Sequence, residues 1–164
     1  MPPATERPRA IVALTMPCAR WRRALPGAAR VATESARAAL VRAGRGLGRA
    51  ELSLVLGDDA LVAALNRRWR RRAGPTNVLA FASGDPPVPA APRLLGDVVL
   101  AFETVEREAQ EQGKRLDHHL RHLVVHGVLH LLGYDHGAAG PARRMEALER
   151  RILATLGVSD PYRA

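Results

Sequence analysis

Cysteine and lysine are almost absent from this chain of 164 residues, since Cys18 and Lys114 are the only ones. A single cysteine excludes an intrachain disulfide and any zinc site built from several cysteines, which fits a reducing compartment. Aromatic residues are also scarce, at 4% of the chain against 47% hydrophobic residues overall. The sequence therefore predicts a core made mainly of leucine, valine and alanine.

Long hydrophobic runs are absent too, and none approaches the roughly 18 residues that a membrane span requires. The stretch closest to a signal peptide is RAIVALTMPCA, residues 9–19, whose apolar part is short and follows a leader rich in proline and arginine. We interpret it as a first strand. We expect no membrane partner and take a cytoplasmic location as the default.

The chain is strongly basic, with a formal net charge of +9, and nearly all of its positive charge is carried by arginine. A basic chain favours polyanionic partners through phosphate contacts and counterion release. A GC-rich genome also enriches arginine, alanine, glycine and proline, so composition alone favours a nucleic-acid partner only modestly.

Length and hydrophobic patterning predict one domain of the α/β (α+β) class, because the chain is close to the ~150 residues expected of a single domain. Residues 1–8 read as a disordered leader and 9–164 as the domain. Predicted strands cover 10–14, 51–57, 76–81 and 94–103. Predicted helices cover 26–43, a segment capped by Asp58 with Leu61, Val62, Leu65 and Trp69 on its apolar face, 104–112, 116–132 and 141–156. The proline-rich stretch 82–93 is a loop between strands. This order predicts a small mixed sheet of about four strands with several helices.

The motif HGVLHLLGYDH, residues 126–136, carries the strongest chemical signal. On a helix, His126 and His130 lie about 40° apart around the axis and about 6 Å apart along it, so both imidazoles can reach one metal ion. Gly133 ends the helix, and a chain that reverses there brings His136 back toward the last turn. Three imidazoles leave a fourth position open, as in catalytic zinc sites. The spacing predicts one Zn²⁺ per chain, although nickel or copper would also suit three imidazoles.

Residues around the motif have open roles. His119 and His122 either support the ligands from behind, line a groove beside the site, or face solvent, and His118 is expected to be exposed. Asp135 either orients a ligand imidazole or caps the following helix. Gly127 occupies the position where zinc proteases of this spacing carry a general-base glutamate.

Four segments of the chain resemble the YbeY family, the bacterial endoribonucleases and ribosomal RNA maturation factors. They are HLVVHGVLHLLGYDH at 122–136, LNRRWRRRAGPTNVLAF at 65–81, LLGDVVL at 94–100 and MEALERRIL…LG at 145–157. The resemblance covers roughly residues 50–163, and the first 50 residues match only in general pattern. Two positions depart from the family, since Ala73 stands where aspartate is usual and Ala80 where serine is usual. Neither departure touches the predicted ligands.

The resemblance implies a function as well as a fold. It implies that 9–164 form a metal-dependent hydrolase domain, an endoribonuclease that cuts single-stranded ribosomal RNA in 16S rRNA 3′-end maturation and ribosome quality control. It implies small ribosomal subunit proteins as partners. The arginine of the family motif maps onto Arg70, whose guanidinium could grip a phosphate and stabilise developing charge. Arg67 and Arg68, in the same basic run, are candidates for RNA contact.

The missing glutamate fits phosphodiester cleavage better than proteolysis. A peptidase depends on a carboxylate for proton transfer, whereas phosphoryl transfer depends more on positioning and charge neutralisation. Two alternatives stay open at this point. One is a metalloprotease-like amide hydrolase whose base is Asp97 or Asp135, and the other is a ribosome-assembly factor with a mainly structural metal.

Overall fold

A computed structural model describes residues 9–44, 46–86, 88–134 and 137–163 of the chain. The predicted leader, residues 1–8, lies outside the described residues. So do Asp135 and His136 of the histidine motif.

Four strands and six helices follow one another along the described ranges. The strands are β1 Arg9–Thr15, β2 Arg49–Gly57, β3 Val78–Ala82 and β4 Arg93–Ala101. The helices are α1 Arg20–Ala24, α2 Ala28–Ala43, α3 Asp59–Arg70, α4 Phe102–Glu111, α5 Leu116–Leu131 and α6 Ala139–Thr155. None of these helices is long and apolar enough to cross a bilayer. The predicted class and element order are confirmed, and among the elements of the described residues α1 is the one that the sequence patterns did not predict.

The strands form one mixed sheet in the order β1-β2-β4-β3. β1 pairs with β2 and β2 with β4 in parallel, while β3 pairs with β4 antiparallel at the sheet edge. Because β4 lies between β2 and β3, the loop 83–92 connects two neighbouring strands of opposite direction.

The two faces of the sheet carry unequal cores. Val98 and Leu100 of β4 belong to the larger cluster, together with residues of β2, α2 and α5, whereas Val99 and Ala101 belong to a smaller cluster with Val62 of α3. This alternation is the period of two expected for a strand. Alanines make up most of the buried face of α2, at Ala28, Ala32, Ala36 and Ala39. Small side chains allow α2 to approach its neighbours closely.

Two sequence expectations are wrong in detail. Trp69, predicted on the buried face of α3, has 63% of its surface exposed. The smaller core extends only as far as Leu65, so the indole one turn later lies at the rim of a groove rather than inside the core. Phe102, predicted at the end of the last strand, is the first residue of α4, where it packs edge-on against the buried ring of Trp21 at 5.1 Å.

Candidate metal and phosphate site

Helix α5 places four histidines on one face. His119, His122, His126 and His130 follow one another at spacings of three or four residues, which brings side chains together on a helix. Successive ring centroids lie 6.3, 6.2 and 4.6 Å apart. The shortest step joins His126 and His130, the two predicted ligands on this helix.

The geometry of this pair fits a shared metal ion. Nε2 of His130 lies 3.1 Å from Nε2 of His126. Two nitrogens at the usual zinc distance of about 2.0–2.1 Å from a tetrahedral ion are separated by roughly 3.3 Å. The predicted third ligand, His136, and its neighbour Asp135 lie outside the described residues. Gly133, whose φ of 93° favours glycine, ends the helix just before them as expected.

The pair opens into a cavity of about 470 Å³ between α5, β3 and the segment that follows α3. Its lining residues are mainly polar or basic: Arg70, Arg72, Thr76, Asn77, Val78, Ala80, Ala82, His126, Gly127 and His130. We call this cavity the arginine pocket. No acidic residue occurs among the described residues that line it, so it offers a cationic surface to a ligand. Ala80, one of the two positions that depart from the family resemblance, lies in its wall.

Two arginines reach the arginine pocket from the end of α3. Arg70 is the last residue of the helix, and Arg71 caps it in the left-handed conformation at φ 53°. The chain turns there, and Arg72 also lines the pocket. Arg67 and Arg68 are not among its described lining residues, and the Arg68 guanidinium stacks 5.0 Å from the ring of Trp69. The structure therefore separates Arg70 from the neighbours that were candidates for RNA contact, and it adds Arg72.

Gly127 has a packing role that the motif alone does not reveal. A Cβ atom at this position would lie 2.7 Å from Cγ1 of Val98 and 3.4 Å from Cγ2 of Val78. Glycine lets α5 lie against β3 and β4 with His126 at the sheet edge. The position that holds a glutamate in the protease pattern thus faces the sheet here, where a longer side chain has no room.

A buried carboxylate lies behind His126. Glu149 of α6 has no exposed surface, and its Oε1 is 2.5 Å from Nδ1 of His126. Its Oε2 is 3.2 Å from Nε2 of His122 and accepts a hydrogen bond from the hydroxyl of Tyr162. The sequence carries one signal for this residue, because Glu149 shares the helical stripe of the buried Met145, Ile152 and Leu153. A charged residue on such a stripe requires partners.

These partners determine the protonation state of the carboxyl group. Burial would raise the pKa of Glu149, but hydrogen bonds from His122 and His126 and the charge of His126, together with the Tyr162 hydroxyl, outweigh burial and lower the pKa to about 2. Burial, followed by donation to Glu149, raises the pKa of Tyr162 above its usual value. Near neutral pH, Glu149 is therefore an anionic acceptor and Tyr162 a protonated donor.

His119 is held by a second carboxylate and does not face solvent. Only 3% of its surface is exposed, and its Nε2 lies 3.0 Å from Oε2 of Glu108. Asn77, which lines the arginine pocket, donates to the same oxygen at 3.0 Å. Burial lowers the pKa of His119, and Glu108 opposes this shift. His119 thus connects α5 to α4 and to the start of β3.

A second arrangement, between α5 and α6, could also hold a metal ion. His122, His126 and Glu149 each offer a ligand atom, and these atoms lie within 4.8 Å of one another. The two arrangements share His126 but use opposite nitrogens of its ring, Nε2 toward His130 and Nδ1 toward Glu149.

The fold and the site together define a class of protein, an α/β domain with paired imidazoles on a helix facing a cationic pocket. Comparison with known proteins specifies the family. A sequence model of the family described as Endoribonuclease YbeY matches residues 27–157, and the chain belongs to this family. The match begins earlier in the chain than the motif resemblance at residue 50.

Curated relatives cover most of the chain. The Endoribonuclease YbeY of Paramagnetospirillum magneticum is 54% identical over 155 residues, which span 92% of this chain and 94% of the relative. That of Azorhizobium caulinodans is 51% identical over 140 residues, spanning 85% and 88%. The solution structure of TM1509 from Thermotoga maritima has the same fold, with a TM-score of 0.53 at 20% identity over 94% of this chain and all of that one.

Proposed function

We propose that this chain is a zinc-dependent endoribonuclease that cuts single-stranded ribosomal RNA, in 16S rRNA 3′-end maturation and ribosome quality control. The observation that carries the proposal is the pair of Nε2 atoms 3.1 Å apart at the wall of a pocket that also holds Arg70 and Arg72. The name of the curated relatives, endoribonuclease, supports RNA as the substrate.

In this proposal, His126 and His130 hold the metal together with His136, the third histidine of the motif. Imidazole nitrogens are common zinc ligands, and the part-buried position of the pair beside a cavity suits an ion that a substrate can approach. A bound zinc ion would act as a Lewis acid toward a phosphoryl oxygen.

The arginines bind and orient the phosphodiester. Arg70 and Arg72 supply two guanidinium groups on one side of the arginine pocket, and guanidinium pairs with phosphate through two parallel hydrogen bonds. Arg70 also neutralises charge that develops on the phosphoryl oxygens during cleavage, which is the main protein contribution to phosphoryl transfer. Asn77 adds a neutral polar group to the same wall.

The lining of the pocket favours this proposal over an amide hydrolase. A peptidase needs a carboxylate base near its metal, and the described lining of the arginine pocket contains none. Asp97, one candidate base, lines two other grooves, beside Phe81 and Ala82. A side chain at position 127 would collide with Val98, so a glutamate has no room there.

A cleavage assay with matched substrates tests the proposal. Zinc-loaded protein would be incubated with labelled single-stranded RNA, the corresponding duplex and casein, and the assay repeated with His130→Ala. Cleavage of the single strand alone, lost together with bound zinc in the variant, is the expected result. Casein cleavage would identify the amide hydrolase, and RNA binding without cleavage would identify an assembly factor with a structural metal.

A test in cells addresses the ribosomal role and its small-subunit protein partners. Cells that lack the protein should accumulate small-subunit RNA with an unprocessed 3′ end, and the wild-type gene but not His130→Ala should restore the mature end. Normal 3′ ends in the deletion strain would contradict the ribosomal assignment without affecting the assay on isolated RNA.

A further inference from the structure

We infer that Glu149 is a positioning residue for the metal site, and that Tyr162 holds Glu149 in place. Through its contact with Nδ1, Glu149 keeps the His126 imidazole in the tautomer and orientation that present Nε2 to the ion. This inference rests on the proposed function, because it takes His126 as a metal ligand.

The hydrogen bonds that Glu149 receives determine the tautomer of His126. Three groups that can donate a proton surround the carboxyl group of Glu149, namely Nδ1 of His126, Nε2 of His122 and the hydroxyl of Tyr162. Carboxyl oxygens that face three such groups act as acceptors, so each of the three donates. Nδ1 of His126 at 2.5 Å therefore carries the proton. In neutral imidazole the other nitrogen then carries the lone pair, and Nε2 of His126 is the atom that lies 3.1 Å from Nε2 of His130. Histidine ligands of metal ions commonly donate their second N–H to a carboxylate in this way.

His122 also donates a hydrogen bond to Glu149. Its Nε2, 3.2 Å from Glu149, is the donor. A nitrogen that donates a proton to a carboxylate has no lone pair for a metal ion. His122 thus serves as a second donor to Glu149, and its Nε2 is not available as a metal ligand.

The short distance argues that Glu149 orients His126 rather than sharing a metal ion with it. Oxygen and nitrogen ligands at about 2.0–2.2 Å from a tetrahedral zinc are separated by roughly 3.3 Å. The 2.5 Å between Oε1 of Glu149 and Nδ1 of His126 is a hydrogen-bond distance, too short for two atoms on one tetrahedral ion. Glu149 therefore lies behind His126, on the side away from His130.

Tyr162 reaches this buried carboxylate from the segment after α6, and three contacts hold it there. Its hydroxyl donates to Oε2 of Glu149, and its backbone N–H donates to Oδ1 of Asp160 at 2.9 Å. The guanidinium of Arg150 lies 5.3 Å from the centre of the Tyr162 ring, and its Nε is 3.0 Å from Oδ2 of Asp160. A residue far from the histidine motif in sequence thus supports the orientation of a predicted ligand.

Zinc affinity and the His126 tautomer test the inference independently of cleavage. Glu149→Gln keeps the shape but removes the charge, and it should weaken zinc binding about 10- to 100-fold in a chelator competition. Tyr162→Phe should weaken it less, in the same direction. Glu108→Gln is the matched control, because it removes the same kind of carboxylate contact from His119, and it should leave zinc affinity unchanged.

NMR of the metal-free protein with ¹⁵N-labelled histidine provides the second measurement. His126 should be protonated on Nδ1 in the wild type, and Glu149→Gln should shift it toward the Nε2–H form.

Unchanged zinc affinity and tautomer in Glu149→Gln would overturn the inference, as would a carboxylate oxygen in the zinc coordination shell measured by X-ray absorption. If Glu149→Gln does not fold, Tyr162→Phe carries both measurements. Zinc retained in His130→Ala would instead contradict the ligands assigned in the proposed function. The tautomer of His126 in the metal-free protein would still test the role of Glu149.

Discussion

Position separates two arginines from the three others in the basic run NRRWRRR, residues 66–72. Arg70 and Arg72 line the arginine pocket, while Arg68 stacks on the exposed ring of Trp69. Sequence position alone would treat them as equivalent cations. Their different surroundings predict different consequences when each is removed.

Arg70→Ala should keep the fold and the bound zinc but lower RNA cleavage by about 10²-fold or more, because a charge at a developing oxyanion contributes several kcal/mol. Arg68→Ala should mainly weaken RNA binding. Single-turnover cleavage rates at saturating protein separate the two effects. Equal losses in both variants, with the same dependence on salt, would mean that Arg70 acts only as part of a basic patch.

The lowered pKa of Glu149 predicts how the stability of the metal-free protein depends on pH. A carboxyl group whose pKa falls from 4.5 to about 2 on folding stabilises the folded state above pH 4.5, and this contribution is lost as the pH falls toward 2. The shift corresponds to a contribution on the order of 3 kcal/mol.

Denaturant unfolding of the wild type and Glu149→Gln between pH 6 and pH 2.5 measures this contribution, since other carboxyl groups titrate alike in both proteins. The difference in unfolding free energy should be largest above pH 5 and shrink as the pH falls. A difference that stays constant over this range would show that Glu149 is not preferentially ionised in the folded protein.

At the scale of elements, the position of α5 on the sheet depends on a glycine. Because Gly127 has no side chain, α5 can pack closely against Val98 and Val78 of the sheet. This close packing holds His126 at the sheet edge. In an isolated helix, alanine would be favoured over this glycine by about 1 kcal/mol. Packing opposes that preference here.

Gly127→Ala should destabilise the protein by roughly 1–3 kcal/mol, because the added Cβ would lie 2.7 Å from Cγ1 of Val98. In a Val98→Ala background, where that methyl group is gone, Gly127→Ala should cost much less or stabilise. Denaturant unfolding of the four proteins gives a coupling energy, expected between about 0.5 and 3 kcal/mol. Additive effects would show that α5 and β4 adjust freely.

The elements themselves were largely predictable from the sequence, for identifiable physical reasons. Alternating Leu52, Leu54 and Leu56 predicted β2, and Asp58 caps α3 by accepting from the backbone N–H of Leu61 at 2.8 Å, as expected. The five residues of α1 are too few to show a helical period. The end of β4 was missed at Phe102, because an apolar residue continues the strand pattern into the first turn of α4.

The candidate site was predictable only where a residue lies within a recognisable motif. Spacing along α5 predicted the neighbouring imidazoles of His126 and His130, and the family motif singled out Arg70. Glu149 and Tyr162 lie on α6 and beyond it, and their contact with His126 depends on how α6 packs against α5. No local pattern encodes that packing.

At the scale of the whole molecule, the net charge of +9 predicts that RNA binding is electrostatic and weakly dependent on sequence. The two largest buried aromatic side chains, Trp21 and Phe102, pack against each other, so they are not available to stack on bases. Contacts with the phosphate backbone should therefore dominate.

Affinity for single-stranded RNA should fall as salt rises, and the logarithmic slope should decrease by about 0.7 for each phosphate contact that is lost. Arg72→Ala should reduce this slope, because Arg72 lines the arginine pocket. Arg37→Ala is the control, since Arg37 is an exposed arginine of α2 and its loss changes the net charge equally. Fluorescence anisotropy across a salt series gives the slopes, and equal slopes in the two variants would mean that only net charge matters.

The strand order β1-β2-β4-β3 has a consequence for the speed of folding. The last strand of the chain occupies an inner position, so its pairing with β2 joins residues as distant as Ala50 and Arg93 and closes a long loop. Among the four described strands, only β3 and β4 can meet through a short connection. Non-local pairing slows folding, so the β3–β4 hairpin is the segment best placed to form early, and the parallel ladder forms on it afterwards. The strand that forms the wall of the arginine pocket would then be ordered before the far edge of the sheet exists.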